Sequence, residues 1–172
     1  MKYIKISKHD TSNGVGIRVV LWVSGCSLHC PGCHNQEAQD PDAGKKFTAE
    51  SMAELIEALD KPYIAGLTVS GGHPLEPYNC DEVYQILNCV RSSTLPHKNI
   101  WLYTGYKWEE ALRMHCGGTS PVDVISLCDV VVDGAYEEAK RNIALAWRGS
   151  SNQRVIDSQR SLSQGKVILY CE

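Results

Sequence analysis

Residues 17–33 read IRVVLWVSGCSLHCPGC. The first seven, Ile17 to Val23, are nearly all apolar and rich in β-branched side chains, which is the composition of a buried strand. The last eight, Cys26 to Cys33, space three thiols as C-x3-C-x2-C. Pro31 and Gly32 allow the tight turn that three converging side chains need on so short a loop. A strand that leads into such a loop delivers it to the end of a sheet, where sites in α/β proteins form.

Outward from this stretch, strand-like and helix-like segments alternate. Met52, Leu55, Ile56 and Leu59 recur at helical spacing, so 49–60 is expected to be an amphipathic helix with Thr48 as its N-cap. Gly66 to Ser70 is strand-like and runs into Gly71-Gly72. Val83, Ile86, Leu87 and Val90 repeat the helical spacing, Ile100 to Tyr103 reads as a strand, and Trp108 to His115 as a helix. Asp129 to Asp133 is a further strand ending before Gly134. This order predicts an α/β fold with a mainly parallel sheet. The 172 residues hold one domain of five or six strands. A complete eightfold barrel takes about 250 residues, so a barrel here is incomplete and open at one side. The domain is expected over 1–154. Residues 155–172 form a polar extension of unknown role, with Val167 to Tyr170 as a final edge strand.

Composition removes several function classes. Lys plus Arg is 17 against 20 Asp plus Glu, a net charge of −3 with no basic excess for nucleic acid. The longest apolar runs are about half a dozen residues, far short of the roughly 20 of a membrane helix. Met1 to Asp10 has no apolar h-region, so no secretory signal is expected and the cytoplasm is the expected location. In a reducing compartment, the eight cysteines point to metal or catalytic chemistry rather than disulfides. Cys80, Cys89, Cys116, Cys128 and Cys171 are isolated and are expected to be small buried hydrophobes.

Spacing alone leaves the chemistry of Cys26, Cys30 and Cys33 open between two metals. A structural zinc site takes four ligands, and His29 or His34 would complete Cys3His. An iron–sulfur cubane ordinarily takes four cysteines, so three leave one iron for substrate. Redox chemistry through Cys30-Pro31-Gly32-Cys33 ranks lower, because it has no use for Cys26.

C-x3-C-x2-C after a strand resembles the signature of radical S-adenosylmethionine (SAM) enzymes. A longer ordered set resembles the activating enzymes of anaerobic ribonucleoside-triphosphate reductase. It comprises Asn13 to Arg18, Val23 to Asn35, Gly66 to Asn79, Ile100 to Lys107, Val130 to Glu137 and Trp147 to Arg154. The resemblance implies an incomplete, laterally open (β/α) barrel of the radical SAM type. It implies a [4Fe–4S] cluster on Cys26, Cys30 and Cys33, and SAM beside Gly32, Cys33, His34, Gly71, Gly72, Asp133 and Gly134. It also implies reductive cleavage of SAM, a glycyl radical on the large catalytic subunit of the reductase, and a one-electron donor such as flavodoxin. The alternatives are a non-catalytic Cys3His zinc module that docks a partner, and a radical SAM enzyme acting on a small molecule.

Two positions depart from the family. His73 stands where an acidic residue usually follows Gly-Gly, and Ala135 where a lysine often follows the Asp133 position. With no acid there, the backbone carbonyls around Gly71-Gly72 are expected to carry the SAM contact. Gly14 and Gly16 precede their strand and lack a third glycine, which excludes a dinucleotide fingerprint. Lys45-Lys46 lack a P-loop pattern. Trp147 to Ser150 fits either a partner channel or packing at the sheet end.

Overall fold

In the computed structural model, which describes residues 1–95, 97–115 and 118–170, the segment IRVVLWV is strand β2, Ile17–Val23. It lies inside a seven-stranded sheet of order β3-β1-β2-β4-β5-β6-β7. The other strands are β1 (Lys2–Asp10), β3 (Lys45–Lys46), β4 (Ile64–Gly71), β5 (Asn99–Tyr103), β6 (Val130–Asp133) and β7 (Arg154–Asp157). β2, β4, β5 and β6 run parallel. β1, β3 and β7 are antiparallel and lie toward the edges. The two outermost strands do not meet, so the sheet is open.

The helices are α1 (Ala49–Leu59), α2 (Pro77–Ser92), α3 (Trp108–Ala111), α4 (Pro121–Ser126) and α5 (Ser158–Gln164). Thr48 caps α1 as expected, accepting from the Ser51 N–H. Side chains alternate across a strand, and here the two sets face different surroundings. Val19, Leu21, Val23, Leu67, Val69, Ile100, Leu102 and Val131 form one core with Leu55, Leu59, Val83, Ile86, Leu87, Val124 and Ile125 of the helices. The opposite set, Trp101, Val130, Val132 and Val155, forms a second, smaller core with Tyr103 and Trp147. Helical side chains thus pack on one face of the sheet, and β2 is apolar apart from Arg18 because Arg18 to Leu21 and Val23 are buried.

The second face is sealed at the amino ends of its strands. Arg18 is 0% exposed. It donates to Thr68 Oγ1 at 2.7 Å, to Asn99 Oδ1 at 2.6 Å and to the Val15, Leu67 and Asn99 carbonyls. The Trp101 ring lies against the guanidinium. Burial lowers the Arg18 pKa to about 10, and neutral oxygens meet the charge. A Cβ on Gly14 would come within 2.9 Å of both Arg18 and Trp101. The Asn13–Arg18 motif therefore closes the bottom of the sheet, and access is left at the carboxyl ends.

Five segments differ from expectation, one of them the unforeseen two-residue strand β3, and the sheet has seven strands against the five or six expected. Met1 to Asp10, read only for a signal, forms strand β1, so the cysteine loop follows the second strand. The helix expected over Trp108–His115 is a single turn, because Arg113 and Met114 close i→i+3 bonds onto Glu110 and Ala111 and tighten it. α4 was not foreseen. Strand β7 runs across the expected boundary at 154–155: it pairs with β6, and Val155 and Ile156 are buried in the two cores. Residues 155–170 therefore belong to the domain. The final edge strand is β7, and Val167 to Tyr170 lies beside it with one bridge, Ile156 to Leu169.

Candidate metal centre

The carboxyl ends of β2, β4, β5 and β6 carry Val23, Gly71, Tyr103 and Asp133. The loop after β2 is fixed across these ends. Gly25 and Cys26 N–H donate to the Ala38 and Gln39 carbonyls at 2.8 and 3.0 Å, and the His73 N–H donates to Gly25 O at 2.7 Å. The Cys33 N–H closes a turn onto Cys30 O. Leu28 packs over Gly105 at the end of β5, where a Cβ would come within 2.0 Å of it. Gly72 lies between the Gly25 and Ala38 carbonyls, 2.5 and 2.6 Å from where its Cβ would be. The glycine at 72 thus lets the cysteine loop seat on β4, a tighter reason for glycine than room for a ligand.

Cys26, Cys30, Cys33, His34, Gly71, Gly72 and Gly134 line one cleft, together with Leu28, His73, Thr104 and Gly105. Two of the expected site residues lie elsewhere. Gly32 faces a neighbouring depression and packs against the Glu138 carboxylate, 2.8 Å from where a Cβ would sit. Asp133 is 1% exposed and lines a neighbouring depression instead. Its carboxylate accepts from the Trp108 N–H at 2.8 Å and pairs with Arg154, which also makes a two-pronged pair with Glu109. Asp133 anchors α3 and β7, and its neighbour Gly134 supplies the cleft wall.

His73 is buried, and both of its ring nitrogens are engaged. Nε2 lies 2.8 Å from Thr104 Oγ1 and Nδ1 lies 3.3 Å from Glu76 Oε1. Thr104 Oγ1 also accepts from the Tyr106 N–H, and because the Glu76 carboxylate only accepts, a His73 proton is assigned to Nδ1. Glu76, which motif reading passed over, is 3% exposed. Its Oε1 accepts from the Ser27 N–H at 2.8 Å and the Ser27 hydroxyl at 2.6 Å. Burial alone would raise this carboxyl, but the bonds from His73 and Ser27 outweigh it and hold it at about 2. The sequence signal was a glutamate before Pro77 at a helix start, three residues after a histidine.

Of the isolated cysteines, Cys80 and Cys128 are buried as expected, and burial pushes the Cys128 thiol far up. Cys89 is exposed on α2, because it falls between the apolar positions Ile86, Leu87 and Val90 on the outer face. Cys116 and Cys171 lie outside the described residues.

Residues 12–156 match the 4Fe-4S single cluster domain family. The chain is 40% identical over 155 residues to the anaerobic ribonucleoside-triphosphate reductase-activating protein of Enterobacteria phage T4, covering 90% of this chain and 93% of the relative. Proteins of the same name from Salmonella typhimurium and Escherichia coli K12 are each 36% identical over 157 residues, covering 90% of this chain and 97% of theirs. The chain belongs to the anaerobic ribonucleoside-triphosphate reductase-activating protein family. For this activating-protein family member, the matched span reaches into β7, consistent with β7 as part of the domain.

The residues present fit an iron–sulfur cluster. Burial raises the Cys26 thiol above its ordinary value, N–H groups of Leu28 and His29 on the sulfur oppose this, and Glu76 pushes it up further. A thiolate there needs a cation, and N–H donors around sulfur are a feature of cluster sites. Among the described residues, no three His, Cys, Asp or Glu side chains converge as ligands of one ion. His29 Nδ1 lies beside Gln39 Oε1 at 3.3 Å, on the outer side of the loop.

Proposed function

We propose that this protein activates anaerobic ribonucleoside-triphosphate reductase as a radical SAM enzyme, with a [4Fe–4S] cluster on Cys26, Cys30 and Cys33. The observation that carries this is the meeting of those three thiols with Gly71, Gly72 and Gly134 in one cleft at the carboxyl ends of parallel strands. Held by Cys26, Cys30 and Cys33, the cluster would supply one-electron reductive cleavage of SAM, with the electron drawn from an external donor and methionine released, so that hydrogen could be taken from a backbone glycine of the large catalytic subunit.

The chain's own residues hold, orient and shield. The three thiolates leave one iron without a protein ligand. The backbone at Gly71-Gly72 and Gly134, with Cys33 and His34, forms the SAM-facing wall. His73 has no nitrogen to spare for an ammonium group, so main-chain carbonyls make that contact. Asp133 holds the wall rather than the ligand. Leu28, packed over Gly105, shields the cleft from water, and Gly32 shapes the cysteine turn. The open sheet with helical packing on one face supports reading the fold as an incomplete barrel of the radical SAM type, whose unclosed side would admit a polypeptide loop. The electron donor is a small one-electron carrier such as flavodoxin, and the setting is the cytoplasm. Among the described residues, no helix is long and apolar enough to cross a membrane.

The test is anaerobic reconstitution with iron and sulfide, followed by reduction and addition of SAM. Release of 5′-deoxyadenosine is expected, with a glycyl radical seen by electron paramagnetic resonance once the large reductase subunit is added. SAM cleavage without that radical would favour a small-molecule substrate. Binding of one zinc with no iron–sulfur absorbance would overturn the enzyme assignment.

A further inference from the structure

Glu76 lies at the start of α2, yet its side chain makes no capping bond to that helix. It turns instead to the cysteine loop, where three hydrogen bonds converge on Oε1: the Ser27 N–H, the Ser27 hydroxyl and His73 Nδ1. Ser27 directly follows Cys26, so the carboxylate fixes the peptide that carries the first cluster cysteine. The next links run outward. His73 Nε2 meets Thr104 Oγ1, the Tyr106 ring lies edge-on to His73 at 4.2 Å, and Asn79 ties His73 O to Ser24 O. These contacts join the ends of β2, β4 and β5 around one carboxylate. From the cysteine loop Glu76 is met by the Ser27 N–H and hydroxyl, both neutral donors, and from β4 by His73 Nδ1.

We infer that Glu76 is a positioning residue for the metal centre: it clamps the Cys26–Ser27 peptide and places a fixed negative charge beside the cluster, holding its reduction potential down. This rests on the cluster assignment proposed above. Adding an electron raises the negative charge of the cluster, and a nearby buried carboxylate opposes that addition. The position also accounts for His73. An acid at 73 would face Glu76, whereas a histidine there donates to it.

The experiment compares wild type with E76Q, E76D and E76A after anaerobic reconstitution. Iron and sulfide content, midpoint potential by mediated titration and the resonance spectrum of the reduced cluster are measured. Gln keeps an oxygen for Ser27 and removes the charge, so E76Q should retain the cluster while its potential moves to a more positive value. E76A should also lose the clamp and release iron to a chelator roughly tenfold faster than wild type. E76D should recover most of the wild-type potential. Wild-type potential and spectrum in E76Q would overturn the inference, as would iron loss with no change of potential, which marks a purely structural role. A wild-type protein that takes up no cluster overturns the cluster assignment and this inference together. A loaded wild type with unaltered variants overturns this inference alone.

Discussion

Replacing Asp133 by Ala removes a carboxylate that is 1% exposed and bonded to the Trp108 N–H and to Arg154. Two costs follow. The Trp108 N–H, at the start of α3, is left buried without an acceptor, at about 1–3 kcal/mol. Arg154 loses one partner but keeps Glu109, and its side chain is 32% exposed. Its loss is therefore well below the ~3–5 kcal/mol of a fully buried broken pair. Together these give about 3 kcal/mol. For a domain of this size, each kcal/mol moves Tm by roughly 2–4 °C, so the midpoint should fall by about 6–12 °C. Thermal unfolding of cluster-free wild type and D133A by circular dichroism reads this directly. Calorimetric titration of SAM into the reconstituted variant, below its Tm, should give an affinity close to wild type. An unchanged Tm combined with lost SAM binding would refute the assignment, because it would make Asp133 a ligand rather than an anchor.

Glu76 gives a pH dependence with a definite sign. Its folded value of about 2 lies below the ordinary 4.5, so its contribution is present above the ordinary value and is lost as pH falls through the folded one. It amounts to about 3 kcal/mol, and urea unfolding of cluster-free protein on the acid side should show a shallower decline in E76Q; identical acid limbs would count against the clamp. Gly72→Ala drives a Cβ into the Gly25 and Ala38 carbonyls. It should cost about 1–3 kcal/mol and lower the iron content per chain, and full iron loading would show that the loop does not need that seat. Cys30→Ala should abolish the iron–sulfur absorbance while Cys89→Ala leaves it intact; the reverse pattern would mean the thiols were wrongly divided.

The β-branched run 17–23 and the helical spacing at 52–59 were legible because one physical signal dominates each. β1 was not, because Lys and Ser alternate with its apolar residues and its pairing lies on the flank of the sheet. β7 was missed for a related reason: Arg154 to Asp157 is too short and too polar at its ends to stand out, and only β6 makes it a strand. At the site, spacing singled out the three cysteines and the family resemblance pointed to the glycine pair, and one cleft brings them together. Spacing could not distinguish Asp133, which bonds a helix, from Gly134, which lines the cleft, because both end the same strand. Nor could it reveal the purpose of His73. That departure makes physical sense only beside Glu76 and Thr104, which a turn and a separate strand bring to it.

The central claim is that three cysteines hold a cluster with one iron open to SAM. The most direct measurement is the resonance spectrum of the reduced, reconstituted protein before and after SAM is added. SAM should change the cluster signal in wild type, and Cys26→Ala, Cys30→Ala and Cys33→Ala should each lack that signal. A cluster signal that SAM leaves untouched, or one that survives loss of any of the three cysteines, would contradict the claim.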